Sequence, residues 1–229
     1  MKKKSQSSNK KELMNEPLDI FCCLDGSGSM LEIRSATILA FNKFLKQHRK
    51  DDPDHTTKIT VDLFNTGTTT LWTRAPLFQV EGLSRENYRP GGQTAMLDSI
   101  GKAITDADTR SVQSHDGSLL PENRIQNVLI ALVSDGRENA SLRFGFAEIR
   151  ELIQEHLTDE KWDIVFLTSD DHAKRMAIEL LGIPEKKVEM FECNAQGIQE
   201  SFEKISRAAR EKKSGRKITD QWKDLPKAS

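Results

Sequence analysis

The sequence lacks an excess of either charge: across 229 residues, 34 Lys+Arg meet 35 Asp+Glu, leaving a formal charge of −1. Nothing global therefore draws it to polyanions, and nucleic acid is disfavoured as a partner. It also lacks any apolar run near the ~20 residues that a membrane span requires, so no membrane partner is expected. The opening MKKKSQSSNKKELMNEP carries lysines but no apolar stretch behind them, so it does not read as a secretory signal. Cysteine is scarce, at three residues. Cys22 and Cys23 are neighbours and point to opposite faces of a strand, which reads as reduced core thiols rather than a disulfide or zinc site. Trp72, Trp162 and Trp222 are too scattered for an aromatic platform. These absences describe a reduced, cytoplasmic, globular chain with one main domain.

What is present alternates between strand and helix. LDIFCCLD (18–25) is an apolar run before a Gly/Ser cluster and predicts a buried strand. Ile38, Phe41, Leu45 and His48 recur at helical spacing, widened by Phe44, until Asp51, Asp52 and Pro53 stop the pattern. TKITVDLF (57–64) alternates as a strand, and 66–81 reads as a short hairpin or edge strand. A second helix carries Leu97, Ile100, Ile104 and Ala107, followed by a hydrophilic surface excursion over 108–124. NVLIALVSD (127–135) and WDIVFL (162–167) predict strands buried on both faces. Between them, Leu142, Phe146, Ile149 and Ile153 predict a helix. Residues 170–181 predict another helix, opened by Asp170-Asp171, and 187–191 a last short strand. The final helix carries Ile198, Phe202, Ile205 and Ala209. The expected architecture is a Rossmann-like open α/β sheet of about six strands, mostly parallel with one antiparallel edge strand, and helices on both faces. A flexible basic arm (1–16) precedes a domain over 17–210, and a basic tail (211–229) follows, with Trp222 and Leu225 as candidates to dock.

In such a sheet, ligands bind beyond the carboxyl ends of the strands. There the sequence places Asp25-Gly26-Ser27-Gly28-Ser29, then Gly91-Gly92-Gln93-Thr94, then Ser134-Asp135-Gly136. Each piece has an ordinary reading alone. Ser29 with Glu32 is a capping box, Thr94 a helix cap, and Ser-Asp-Gly a turn. Capping does not explain the conjunction, because it needs one side chain per helix. Two carboxylates (Asp25, Asp135) and three hydroxyls (Ser27, Ser29, Thr94) instead form a set of hard oxygen donors suited to Mg²⁺ or Mn²⁺, with no soft ligand beside them.

Asp25-x-Ser27-x-Ser29, the distant Thr94 and then Asp135 resemble the metal-ion-dependent adhesion site (MIDAS) of von Willebrand factor type A (VWA) domains, in that family's order. LDGSGSM, RPGGQTAMLDSIG, LVSDGRENAS and WDIVFL look most like small stand-alone bacterial and phage members. Ser134 departs mildly from the Thr common before the second Asp. The resemblance implies that Ser27 and Ser29 bind the metal directly. It implies that Asp25 and Asp135 act largely through water, and that Thr94 alternates between the two modes. It further implies a protein partner whose Asp or Glu completes the coordination, a last helix (from near Gln196) that moves with it, and a place in a stress or defence assembly.

Enzyme readings are weaker. The chain has no G-x-x-x-x-G-K-[ST], and Leu31 stands where a dinucleotide fingerprint needs its third glycine. Gly26-Ser27-Gly28-Ser29 is not a nucleophile elbow. Ser27 replaces the second Asp of a haloacid-dehalogenase-type phosphatase. His48, His55, His115, His156 and His172 are scattered. The expectation is therefore a non-enzymatic, metal-dependent protein-binding module. A Mg²⁺-dependent phosphoryl-transfer hydrolase at the same site is the alternative, and nucleic-acid association through the basic termini is the second.

Overall fold

The computed structural model describes residues 16–112 and 127–225. The expected N-terminal arm (apart from Glu16), positions 113–124 of the expected excursion and the last four residues lie outside these. Six strands form one sheet: β1 (Leu18–Asp25), β2 (Thr57–Phe64), β3 (Thr68–Pro76), β4 (Val128–Ser134), β5 (Trp162–Thr168) and β6 (Val188–Met190). Their order is β3-β2-β1-β4-β5-β6, and only β3 runs antiparallel, at the edge. Strands β1, β4 and β5 are buried at every position, which is why their sequences read as continuous apolar runs.

The two faces are covered separately. Helices α1 (Arg34–Asp51) and α5 (Ala195–Lys213) pack over Leu18, Ile20, Cys22 and Leu24, with Phe41 meeting Phe202 edge-on at 5.8 Å. Helices α2 (Met96–Val112), α3 (Phe146–Leu157) and the short α4 (Asp171–Arg175) cover Phe21 and Cys23. The adjacent cysteines therefore divide between the two cores, and all three thiols are free. Each fully buried Phe or Leu contributes about 1.5–3 kcal/mol of transfer free energy, so the sheet is held firmly from both sides.

Some elements depart from their sequence pattern. Leu142 continues the apolar period of α3 backward, yet it is 94% exposed and the helix begins at Phe146. The Asp98 carboxylate explains this, because it accepts the amides of Leu142, Arg143 and Phe144 and holds them outside the helix. The first residues of the expected 108–124 excursion belong to α2. After α4 the chain continues as a π-helical turn, Met176–Leu180. Helix α5 runs on to Lys213, past the expected boundary at 210. Beyond it Trp222 is buried and donates from Nε1 to the Lys186 carbonyl at 3.0 Å, while Leu225 is half-buried.

Candidate metal centre

Strand β1 lies between β2 and β4, so the connections leaving β1 and β4 diverge at its carboxyl end. A crevice forms at such a switch point. Asp25 is the last residue of β1, and Ser134 is the last of β4. Asp25 is fully buried; its Oδ1 accepts the Ser27 amide at 2.7 Å and its Oδ2 accepts the Ser134 hydroxyl at 2.5 Å. Ser134, the mild departure from the VWA pattern, thus holds Asp25 in place. Burial pushes the Asp25 carboxyl up to about 6, against the downward pull of the Ser134 and Ser27 hydrogen bonds. Burial raises Asp135 as well, with Ser29 opposing. Among the described residues neither carboxylate has an ion-pair partner. Behind them, buried Tyr88 donates its hydroxyl to the Asp25 carbonyl at 2.8 Å and fixes the end of the strand.

The ordinary capping readings fail here. Ser29 does not cap α1, whose first turn has no side-chain cap. Its hydroxyl lies 3.0 Å from Ser27 Oγ and donates to Asp135 Oδ1 at 2.7 Å, joining the first loop to the third. Thr94 is not the cap of α2 either. The amides of Leu97 and Asp98 go instead to Glu138 Oε2 at 2.9 Å and Ser141 Oγ at 3.1 Å.

The threonine loop is pressed against the other two. The Gly91 amide donates to the Gly26 carbonyl at 2.8 Å, and the Gly28 amide to the Gly92 carbonyl at 3.2 Å. Gly92 has φ +81°, and a Cβ there would stand 2.6 Å from Thr66 Oγ1, so a side chain is excluded both by conformation and by space. Thr94 Oγ1, Ser29 Oγ and Asp25 Oδ2 all face Gly136: they lie 3.5, 3.7 and 3.9 Å from the point where its Cβ would be. The structure thus gathers Asp25, Ser27, Ser29, Thr94 and Asp135 around one spot. Ser27, Thr94 and Asp25 are buried, Asp135 is half-buried and Ser29 is exposed.

Several contributors are not among the residues expected from sequence. Asn139 clamps Thr94 from both sides: its Oδ1 accepts the Thr94 amide at 2.8 Å, and its own amide donates to the Thr94 carbonyl at 3.0 Å. Glu138 caps α2 while also accepting the amides of Ala140 and Ser141. Asp98 returns the favour by holding 142–144. The mostly polar run Arg137-Glu138-Asn139-Ala140-Ser141 follows soon after the end of β4, and that was the available signal. Cys193, in the loop before α5, is exposed with Sγ 3.8 Å from Asp135 Oδ2. A soft donor does therefore border the site, contrary to the expectation of none.

The donor set can be tested against a cation. One buried and one half-buried carboxylate, with no cationic side chain paired to them among the described residues, join three hydroxyls in an electron-rich oxygen set that a divalent ion would neutralise. Among the described residues no group of three or more His, Cys, Asp or Glu side chains is poised to hold a metal. The hydroxyl-rich set has the chemistry of a hard-ion site, with the Cys193 thiol at its border.

No protein-family model matches the sequence, and no curated protein matches it either. Solved structures do match in fold. Proximal thread matrix protein 1 from the mussel byssus is similar at TM-score 0.58 and 14% identity, over 86% of this chain and 49% of that one. Its form with a zinc-occupied MIDAS motif gives 0.52 and 16%, over 86% and 46%. The pilus adhesin SpaC from Lactobacillus rhamnosus GG, in its open conformation, gives 0.59 and 11%, over 86% and 30%. The von Willebrand factor type A protein from Catenulispora acidiphila gives 0.50 and 17%, over 84% and 42%. This chain spans less than half the length of each of these chains. Its sheet order, its single antiparallel edge and these likenesses establish that the chain has the von Willebrand factor type A fold.

Proposed function

We propose that the chain is a metal-dependent protein-binding module. Ser27, Ser29 and Thr94 supply neutral hydroxyl ligands, while Asp25 and Asp135 supply charge and orient water. One observation carries this reading: oxygen donors from three loops distant in sequence converge on Gly136, while neither carboxylate has a cationic partner among the described residues. A Mg²⁺ or Mn²⁺ ion would contribute positive charge that neutral hydroxyls leave under-compensated and so attractive to an incoming carboxylate. Ser134, Tyr88 and Asn139 hold the ligand loops rigid, so little ordering remains to be done on binding. The partner is thus a protein that presents an Asp or Glu. Two of the structural neighbours bear names consistent with this, one a pilus adhesin and the other carrying an occupied MIDAS.

Thermal unfolding with and without Mg²⁺ provides the test. At ten times its dissociation constant, Mg²⁺ adds about 1.4 kcal/mol to the native state, which raises the midpoint by roughly 3–5 °C for a domain of this size. Ser27→Ala and Asp135→Ala should abolish the rise, and a partner captured in Mg²⁺ should elute in EDTA. A midpoint indifferent to Mg²⁺, or turnover of a phosphate ester that Asp25→Ala abolishes, would contradict the reading.

A further inference from the structure

The Cys193 thiol at the edge of the candidate site is held there from behind. Asn194, the next residue, caps α5 by accepting the Gly197 amide on its Oδ1 at 2.8 Å. A Cβ at Gly197 would stand 2.0 Å from the Glu192 carbonyl oxygen, so glycine lets the loop press directly on the helix. The Phe191 amide donates to the Thr168 carbonyl at 2.9 Å and ties the other end of the loop to β5. In front, Cys193 is exposed and its sulfur stands 3.8 Å from Asp135 Oδ2. Asp135 Oδ1 accepts the Ser29 hydroxyl at 2.7 Å, so one carboxylate joins the thiol to the hydroxyl set. Glu32 adds negative charge beside both Asp135 and Cys193, and among the described residues neither pairs with a lysine or arginine.

A second observation points to a ligand independently of the sulfur. Thr94 is 4% exposed, and Asn139 holds both its amide and its carbonyl. Its Oγ1, however, has no hydrogen-bond partner among the described residues, and it faces Gly136 beside Ser29 Oγ and Asp25 Oδ2. A buried hydroxyl left unpaired is costly, and an ion in the crevice would take it up. The spacing at the sulfur bears on which ion. Zinc holds a thiolate at about 2.3 Å and a carboxylate oxygen at about 2.1 Å, which sets the two donors about 3.6 Å apart at a tetrahedral angle and about 3.1 Å apart at an octahedral one. The observed 3.8 Å lies nearer the tetrahedral value.

Resting on the metal-binding reading above, we propose that Cys193 is a further ligand of the site and that it shifts the preferred ion to the borderline-soft class, Zn²⁺ or Co²⁺. The sulfur–metal bond forms as the S–H bond breaks, and the proton passes to water. Oxygen donors alone suit Mg²⁺ or Mn²⁺, whereas a thiolate beside them favours the softer ion. Among the described residues no cluster of three His, Cys, Asp or Glu side chains forms, so hydroxyls and water complete the set. The site is therefore an open one, with a position left for an incoming carboxylate.

Titration of the full chain with CoCl₂, after a chelator has stripped it of metal and with its thiols kept reduced, tests this. The expected result is a sulfur-to-cobalt charge-transfer band in the near ultraviolet that saturates at one ion per chain. Cys22 and Cys23 are buried in the two cores, so the band reports Cys193. Cys193→Ser should remove the band, keep the visible cobalt absorption, weaken Zn²⁺ by roughly tenfold or more and leave Mn²⁺ affinity within about twofold. Asp135→Ala should remove the band too, and excess Mn²⁺ should bleach it, because the ions compete for one crevice. The Cys193 side chain is exposed, and an unchanged thermal midpoint of the metal-free variant confirms that it folds. Visible cobalt absorption that Ser27→Ala abolishes, with no charge-transfer band, would overturn the Cys193 proposal and leave the metal-docking reading intact. So would zinc affinity indifferent to Cys193→Ser, or a band that survives Asp135→Ala or saturating Mn²⁺. No binding of cobalt, zinc or manganese, with the midpoint also indifferent to Mg²⁺, would overturn both.

Discussion

Aspartates wholly or partly shielded from water sit at both ends of the sheet, and the pair at the crevice is treated differently from the rest. At the amino ends of the strands each has its own cation: Asp163 takes Lys187 at 2.5 Å and Lys212 at 3.3 Å, Asp52 takes Lys213 at 2.5 Å, and Asp19 takes Arg74 at 2.6 Å. Toward the carboxyl ends Asp62 takes Lys102 at 3.0 Å and Asp170 takes Arg137 at 3.1 Å, whereas among the described residues Asp25 and Asp135 receive only hydroxyls, backbone amides and a thiol. The chain is rich in lysine and arginine, so this difference does not come from a shortage of cations. It teaches that the fold neutralises carboxylates that serve stability and withholds neutralisation from the pair at the crevice. What is withheld from the crevice is what an external cation would provide.

The sharpest way to break this comparison is at the amino end. Asp163→Ala leaves Lys187 and Lys212 buried without their counter-charge, and breaking such a pair typically costs about 3–5 kcal/mol. Urea unfolding should show that loss equally with and without Mg²⁺. A loss that Mg²⁺ repairs would dissolve the distinction between the crevice pair and the rest.

His48 gives the next largest effect. It is buried against Phe44 near the same end of the molecule, and its Nε2 finds no partner among the described residues. Burial, then Arg210 and Lys213, lower its pKa from 6.5 to about 4, with Asp51 and Asp52 opposing. Above pH 6.5 both folded and unfolded chains hold it neutral. Below that the unfolded chain takes the proton first, so stability falls until about pH 4, by roughly 3 kcal/mol in all. Unfolding measured across this window should show the slope, and His48→Phe should remove most of it.

Asp25→Asn should act with the opposite sign to Asp163→Ala. The Asp25 pKa is raised from 3.8 to about 6, so its charge costs nothing below the first value and is fully felt above the second. Removing it at pH 7 without metal should stabilise the chain by about 1–3 kcal/mol, a gain that fades as the pH falls below 6. In Mg²⁺ the ranking should reverse. A variant less stable than wild type in both conditions would show that Asp25 serves the fold alone.

The five candidate residues, which the structure brings together, could be picked out because their sequence pattern is local. Small polar side chains sat just after apolar runs, and a strand end is easily read. The alternation of strands and helices was legible for the same reason. What stayed hidden depends on distance in the chain. The Asp98 clamp on 142–144 made the apolar period at Leu142 misleading, because a carboxylate from another helix overruled it. Lys212 and Lys213 read as the start of a solvated tail, yet both are buried against aspartates that lie far away in sequence. Cys193 beside Asp135 could not be read from spacing, since a 58-residue separation says nothing about contact. Asn139 stood in plain view within a polar run, but its role appears only once the threonine loop is folded against it.

The central claim is that the crevice lacks its own cation because it takes one from outside. Crystals of the full chain soaked in MnCl₂ test it most directly, since manganese gives an anomalous signal of its own. The account predicts one strong peak per chain, within ligand distance of the Ser27 and Ser29 hydroxyls and close to Asp25, Thr94 and Asp135, which vanishes in Ser27→Ala. A peak elsewhere with none at this crevice, or no peak at saturating manganese, would contradict it.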